Sequence, residues 1–219
     1  MFVLLTAAAM IVYPGGTIDD HTRRGYSFFT NCFSDLGRTR TFDGNGNLPA
    51  RMLFMAAMID AAATLIVFFR TFAVAAGSWR RLGSRAAARL SFAGAMLGVA
   101  SAVCFVGVAF TPWDLYMQQH ITFVLWALSL FLLATALNVL AILIEPRLPR
   151  RAIWIFAAFA AMLLAYIPLL MIGIRGGTSV AASVVVQATG QKIIVYAAIL
   201  TVMVQSLHMR RHISHQISV

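Results

Sequence analysis

Between Ile121 and Ile144 the chain runs for 24 residues without a charged side chain. Few environments accept such a stretch. A helix rises about 1.5 Å per residue, so about 20 apolar residues cross the hydrocarbon of a bilayer about 30 Å thick. A barrel strand would instead alternate polar and apolar residues over about ten positions. The run predicts a membrane-spanning helix, which keeps every backbone N–H and C=O paired where the solvent offers no partner.

Similar segments cover approximately residues 52–69, 90–110, 152–174 and 189–207, and a shorter one covers 1–13. Composition agrees: 61% of the 219 residues are hydrophobic and 11% charged, against about 25% charged in soluble domains. The expected fold is all-α, one domain over residues 1–219 forming a polytopic transmembrane bundle of six helices. The first segment ends at Pro14-Gly15-Gly16 and reaches only about 20 Å as a helix, short of a comfortable crossing. No basic residues precede it, unlike a signal peptide. It reads as a genuine first helix whose start is missing or misassigned.

Arginine placement sets the orientation. Arg70, Arg80, Arg81, Arg85 and Arg89 follow segment two, Arg147, Arg150 and Arg151 follow segment four, and Arg210 and Arg211 lie in the tail. These ten face one acid, Glu145, whereas the alternate connections hold seven basic residues against Asp19, Asp20, Asp35, Asp43 and Asp114. By the positive-inside rule the arginine-rich set is cytoplasmic. Both termini are then cytoplasmic, and the loop 14–50 is external.

The formal net charge of +10 falls between hydrophobic segments and not on a stripe interleaved with aromatics. It therefore points to anionic membrane lipid as the partner and not to nucleic acid. The expected location is a prokaryotic cytoplasmic (inner) membrane, crossed several times. Cys32 and Cys104 are too few for a disulfide framework or a metal quartet. Gly94 and Gly98 stand four apart, with Ala102 one turn on. Small residues at that spacing allow close helix approach, within the bundle first and in a homo-oligomer as the alternative.

The most distinctive run is Asn31-Cys32-Phe33-Ser34-Asp35-Leu36-Gly37 in the external loop. Ser34 and Asp35 can cap a short helix, and Gly37 can end a turn. The other reading has Asp35 present a carboxylate to an external polar pocket. This run, with Pro49 just before helix two, His120 opening segment four and Gly190-Gln191-Lys192-Ile193 opening segment six, resembles the Frag/DRAM/Sfk group of six-helix membrane proteins. The resemblance is to its prokaryotic branch, domain-of-unknown-function family 998. It covers nearly the whole chain and implies six helices. It also implies an association with lipid handling in eukaryotic members, and no established reaction for the prokaryotic branch. The short first helix departs from that pattern.

By topology Asn31, Ser34, Asp35, His120, Gln191 and Lys192 belong to one external layer, along with Arg38, Asp114 and Tyr116. If they converge, a carboxylate, an imidazole and an ammonium form a site for a zwitterionic or anionic headgroup. The same trio could do acid–base work on a lipid ester. Alternatively, polar residues merely collect at the water interface. Asp60 is the intramembrane anomaly. A lone carboxylate mid-bilayer costs about 2.5–3.5 kcal/mol on insertion scales, so it should face the bundle interior or a cavity. There it serves as a proton or cation site, or as a hydrogen-bond partner of Asn138 or Thr64.

Other motifs carry less. His208 and His212 are four apart beside arginines and lack a rigid third ligand, so no metal site is expected. His21, His120 and His208 fall on different faces, unlike the ligands of a ceramidase-type zinc hydrolase. Asp43-Gly44-Asn45-Gly46-Asn47 opens like a calcium loop, but Leu48 and Phe54 occupy its glycine and glutamate positions. No phosphate-cradling loop, GxSxG or HExxH is present. No cofactor is implied and no catalytic residue is assigned. The leading expectation is binding or sensing of a lipid or other amphiphile. A proton-coupled transporter using Asp60, and a lipid-remodelling enzyme using Asp35 and His120, are the alternatives.

Overall fold

A computed structural model describes the backbone of residues 1–81, 84–145, 151–174 and 180–217. Pro146, Arg147, Arg150 and Arg175-Gly176-Gly177 lie outside the described residues, as do the side chains of Arg80, Arg81, Arg151, His208, His212 and His215. Among the described residues the architecture is all-α. The helices are α1 (Phe2–Ile11), α2 (Leu48–Arg81), α3 (Arg85–Phe110), α4 (Met117–Ile144), α5 (Arg151–Ile174) and α6 (Val180–Ile217), with a 3-10 turn at Phe33–Gly37. The long α1–α2 connection adds two isolated bridges, Gly15–Arg24 and Arg40–Gly46.

Five of these helices, α2 to α6, are long and apolar enough to cross a membrane. The chain is thus a multi-pass helical bundle. The remaining helix, α1, has 10 residues, about 15 Å of rise. The helices outrun the apolar segments: α2 begins at Leu48 and not near 52, and continues to Arg81, and α6 begins at Val180 and not near 189. Hydropathy marks where burial in lipid is favourable, whereas helical hydrogen bonding continues through polar residues. Pro49, expected just before the second helix, lies in its first turn, where its missing N–H leaves no bond unmade.

Each helix packs on its neighbours in the chain, and α6 also meets α2 and the 3-10 turn. One core cluster is an aromatic ladder. Phe69 stacks on Phe131 at 5.8 Å, Phe131 on Phe159 at 5.1 Å, and Phe72 on Phe156 at 5.8 Å. The second cluster joins α1, the start of α2 and the end of α3 around Phe2, Phe33, Leu36 and Phe54. Polar groups stitch α3 to α4. Ser101 donates to Ala127 O at 2.8 Å and Ser91 to Asn138 Oδ1 at 3.2 Å, while Asn138 Nδ2 donates to Ala134 O at 2.8 Å. Gly94 and Gly98 are buried here: a Cβ on Gly94 would lie 2.9 Å from Asn138 Nδ2, and one on Gly98 would strike the Phe69 ring. The small-residue face is filled within the chain.

Asp60 does not face the interior. Ala57, Met58, Ala62 and Leu65 turn into the core, whereas Asp60 sits on the flank of α2 with 34% of its side chain exposed, 3.6 Å from the Met1 amino group. Thr64 is exposed and Asn138 is committed to Ser91 and Ala134, so neither is its partner. Only the rotational phase of α2 decides this, and a single acid in an apolar run does not reveal that phase.

Candidate functional site

The loop between α1 and α2 folds back onto the end of the bundle, and its hub is Asn31. The Asn31 side chain is fully buried. Its Oδ1 accepts from Ser27 N at 2.9 Å, and its Nδ2 donates to Gly16 O at 3.0 Å and to Asp35 Oδ2 at 3.0 Å. Its backbone carbonyl accepts from Tyr26 Oη at 3.0 Å and from Lys192 Nζ at 2.5 Å. One residue therefore ties the loop to itself, to the 3-10 turn and to α6.

Asp35, 4% exposed, caps that turn. Its Oδ2 also accepts from Cys32 N at 2.8 Å, and its Oδ1 accepts from Trp113 Nε1 at 3.1 Å. A group surrounded only by donors suits an ionised carboxylate. Burial opposes this and raises the carboxyl above its ordinary value, because the hydrogen bonds from Asn31, Cys32 and Trp113 and the charge of Arg38 offset only part of the desolvation. The rest of the motif is architectural. Leu36 is fully buried in the core, and Gly37 lies so close to α2 that a Cβ would sit 2.7 Å from the Phe54 ring.

Lys192, 1% exposed, reaches from α6 into this knot. It donates to Ala188 O at 3.1 Å as well as to Asn31 O, and lies 5.1–5.4 Å from the ring centroids of Tyr26, Phe28 and Phe33. Carbonyl oxygens and aromatic faces together stabilise a buried ammonium. One residue earlier, Gln191 Oε1 accepts from Phe33 N at 2.7 Å. Phe33 itself stacks on Tyr196 at 6.1 Å, halfway along the apolar stretch Val184–Leu207. The turn is thus a wedge sunk beside α6.

A second latch joins the loop to the α3–α4 connection. Asp114 accepts from Thr39 Oγ1 at 2.6 Å, from Thr39 N at 3.0 Å and from Arg40 N at 3.2 Å. Burial raises its pKa, but the bonds from Thr39 and Arg40 outweigh this and hold it below the usual carboxylate value. His120 is buried at the start of α4, where its Nδ1–H donates to Thr111 O at 2.7 Å.

Asn31, Asp35, Gln191 and Lys192 therefore meet, whereas His120 shares their end of the bundle without a hydrogen bond to any of them. Ser34 is half-buried and makes no side-chain hydrogen bond among the described residues. Asp35 and Lys192 do not form an open headgroup pocket, since both are buried and saturated by the chain itself. Trp113, Tyr26 and Thr39 escaped the sequence reading, and Asn47 entered it only as the end of the Asp43–Asn47 run; its Nδ2 donates to Leu36 O and Arg38 O at 3.0 Å. Only the position of Trp113 just past a span-ending proline hinted at an interfacial role. Among the described residues no cluster of His, Cys, Asp and Glu could hold a metal ion. No family model, curated protein or solved structure matches the chain.

Proposed function

We propose that this chain is a six-helix protein of a prokaryotic cytoplasmic membrane, with both termini cytoplasmic, that binds or senses a lipid or other amphiphile at its external face. The resemblance to the prokaryotic Frag/DRAM/Sfk branch belongs to the same proposal. The supporting observation is a pair of phenyl rings on a polar loop. Phe28 and Phe29 are 42% and 61% exposed and stack edge-to-face at 5.4 Å. Exposed apolar side chains are ordinary on a lipid-facing helix but not on a water-facing loop. Phe28 also lies 5.1 Å from Lys192 Nζ, beside an apolar stretch of α6. The rings therefore suit contact with acyl chains at the membrane edge, with exposed Arg23 and Arg24 nearby in the chain to meet headgroups.

Asp35 and Lys192 support this reading as the anchor that holds the loop in place. The transporter alternative gains nothing from Asp60 on the flank of α2. The remodelling enzyme needs Asp35 and His120 to act together, and they share no hydrogen bond. The test is lipid retention by native mass spectrometry, comparing wild type with Phe28→Ser/Phe29→Ser purified in the same detergent. Wild type is expected to keep lipid that the double variant loses. Equal retention by two well-folded samples would remove the basis for the reading.

A further inference from the structure

The loop contains an arginine that is held rigidly yet leaves most of its donors uncommitted. The Arg38 guanidinium carbon lies 4.1 Å from the Phe42 ring centroid and 4.4 Å from that of Trp113. Those rings are 5.8 Å apart and tilted by 57°, so the guanidinium rests in the notch between them. Its Nε donates to Arg40 O at 2.8 Å. Cation–π contacts fix the group's plane without consuming N–H donors. The N–H groups on Nη1 and Nη2 make no hydrogen bond to any described residue.

No carboxylate claims them either. Arg38 forms no ion pair with a carboxylate among the described residues. Asp35 and Asp114 feel the charge of Arg38, but each is saturated elsewhere, Asp35 by Asn31, Cys32 and Trp113, and Asp114 by Thr39 and Arg40. Arg38 is half-buried, so its outer edge remains accessible. A guanidinium already ordered by its own chain loses little rotamer entropy on binding, and its planar fork matches the oxygens of phosphate.

We propose that Arg38 is the recognition point for a phosphate-type oxyanion at the external face, received by its Nη1 and Nη2 donors. Two sources carry that chemistry, a phospholipid headgroup and free inorganic phosphate. The first rests on the amphiphile reading above and the second does not. The competing role is a staple that only joins the loop to Trp113 and balances nearby carboxylates.

The test titrates wild type and Arg38→Lys in a phosphate-free maltoside detergent with short-chain phosphatidylglycerol, short-chain diacylglycerol or inorganic phosphate, read by native mass spectrometry. Lysine keeps the charge but lacks the fork, so phosphatidylglycerol should bind about tenfold more weakly to the variant. Diacylglycerol, which has tails and no phosphate, should be unaffected. Phosphate binding that depends on Arg38, without lipid binding, would uphold this site and remove the amphiphile reading. Equal phosphatidylglycerol binding by both proteins, with no phosphate binding, would overturn the Arg38 site alone. No binding of any ligand by wild type would overturn both. A readout free of folding effects is phenylglyoxal labelling of Arg38 in wild type: the phosphate-bearing ligand should protect it, and unchanged labelling would sink the proposal.

Discussion

Lys192 Nζ donates to the carbonyl oxygen of Asn31 at 2.5 Å, joining positions 161 residues apart in the chain. The contact docks a loop onto the last helix, and its energetics are lopsided. Neither carbonyl that Lys192 uses depends on it. Asn31 O also accepts from Tyr26 Oη, and Ala188 O is an acceptor within α6. The Asn31 side chain, in contrast, serves three separate buried groups.

That asymmetry predicts that Asn31→Ala is the damaging change and Lys192→Met the mild one. Removing the amide orphans Ser27 N and Gly16 O and strips Asp35 of a donor, and each unsatisfied buried group costs about 1–3 kcal/mol. Replacing a buried ammonium by a thioether of similar length removes a desolvation penalty along with the bonds, so the net change should stay within about 1 kcal/mol. Thermal unfolding in one detergent, with limited proteolysis of the loop, distinguishes the two. A Lys192→Met protein as labile as Asn31→Ala would show that the ammonium dominates the latch.

Asp35 and Asp114 should respond to acid in opposite directions. Asp114 is held below its ordinary 3.8, so its contribution is present above that value and is lost as pH falls through the folded value. Asp35 is raised above 3.8, so its contribution is present below 3.8 and is lost as pH rises through the folded value. Asp114→Asn should therefore cost about 1 kcal/mol near neutral pH, discounted for partial exposure. It should also lose less stability than wild type on acidification below about pH 4. Unfolding temperature against pH reads this directly. Parallel acid limbs in the two proteins would contradict the assignment.

Part of this arrangement was legible in the sequence, for a physical reason. Successive spans bring every second connection to the same end of a bundle, so the order of the apolar segments put Asp35, His120, Gln191 and Lys192 in one layer without any knowledge of packing. Apolar runs located α2 to α6 but not their ends, since Leu48–Arg81 continues as helix through residues that hydropathy rejects. The depth of the loop was not legible. It depends on Phe33 reaching Tyr196 and on Trp113 turning to Asp35, contacts between distant positions that leave no local pattern. For the same reason a distinctive motif looked like a ligand site, although most of its residues brace the loop. Arg38 looked ordinary because the notch that holds it comes from Phe42 and Trp113, which are far apart in sequence.

Glycine at 98 should be a packing requirement. A Cβ there would strike the Phe69 ring, which is itself braced against Phe131 at 5.8 Å and Phe68 at 5.1 Å. A ring held on two sides cannot easily move, so Gly98→Ala should cost about 1–3 kcal/mol through overpacking. Gly107 would also meet a ring, that of Phe123, which is half-buried and freer to shift. Gly107→Ala should therefore be the milder of the two in thermal unfolding. The reverse order would mean that α2 and α3 can separate more easily than this ladder implies.

Cys32 tests the loop as a whole, because its chemistry depends on the loop staying seated. Burial first and the neighbouring Asp35 second push its thiol up to about 12, with the Lys192 charge opposing. Only the thiolate is nucleophilic, so at pH 7.5 the reactive fraction is on the order of 10⁻⁴ or less. Maleimide should label Cys32 slowly in the folded protein and rapidly after denaturation, with peptide mapping separating it from Cys104. Asn31→Ala frees the loop and should raise the native labelling rate at Cys32 by about tenfold or more, towards the value for an ordinary thiol. If Cys32 in wild type reacts as fast as in the denatured chain, the loop is not seated against α6, and the latch through Lys192 fails with it.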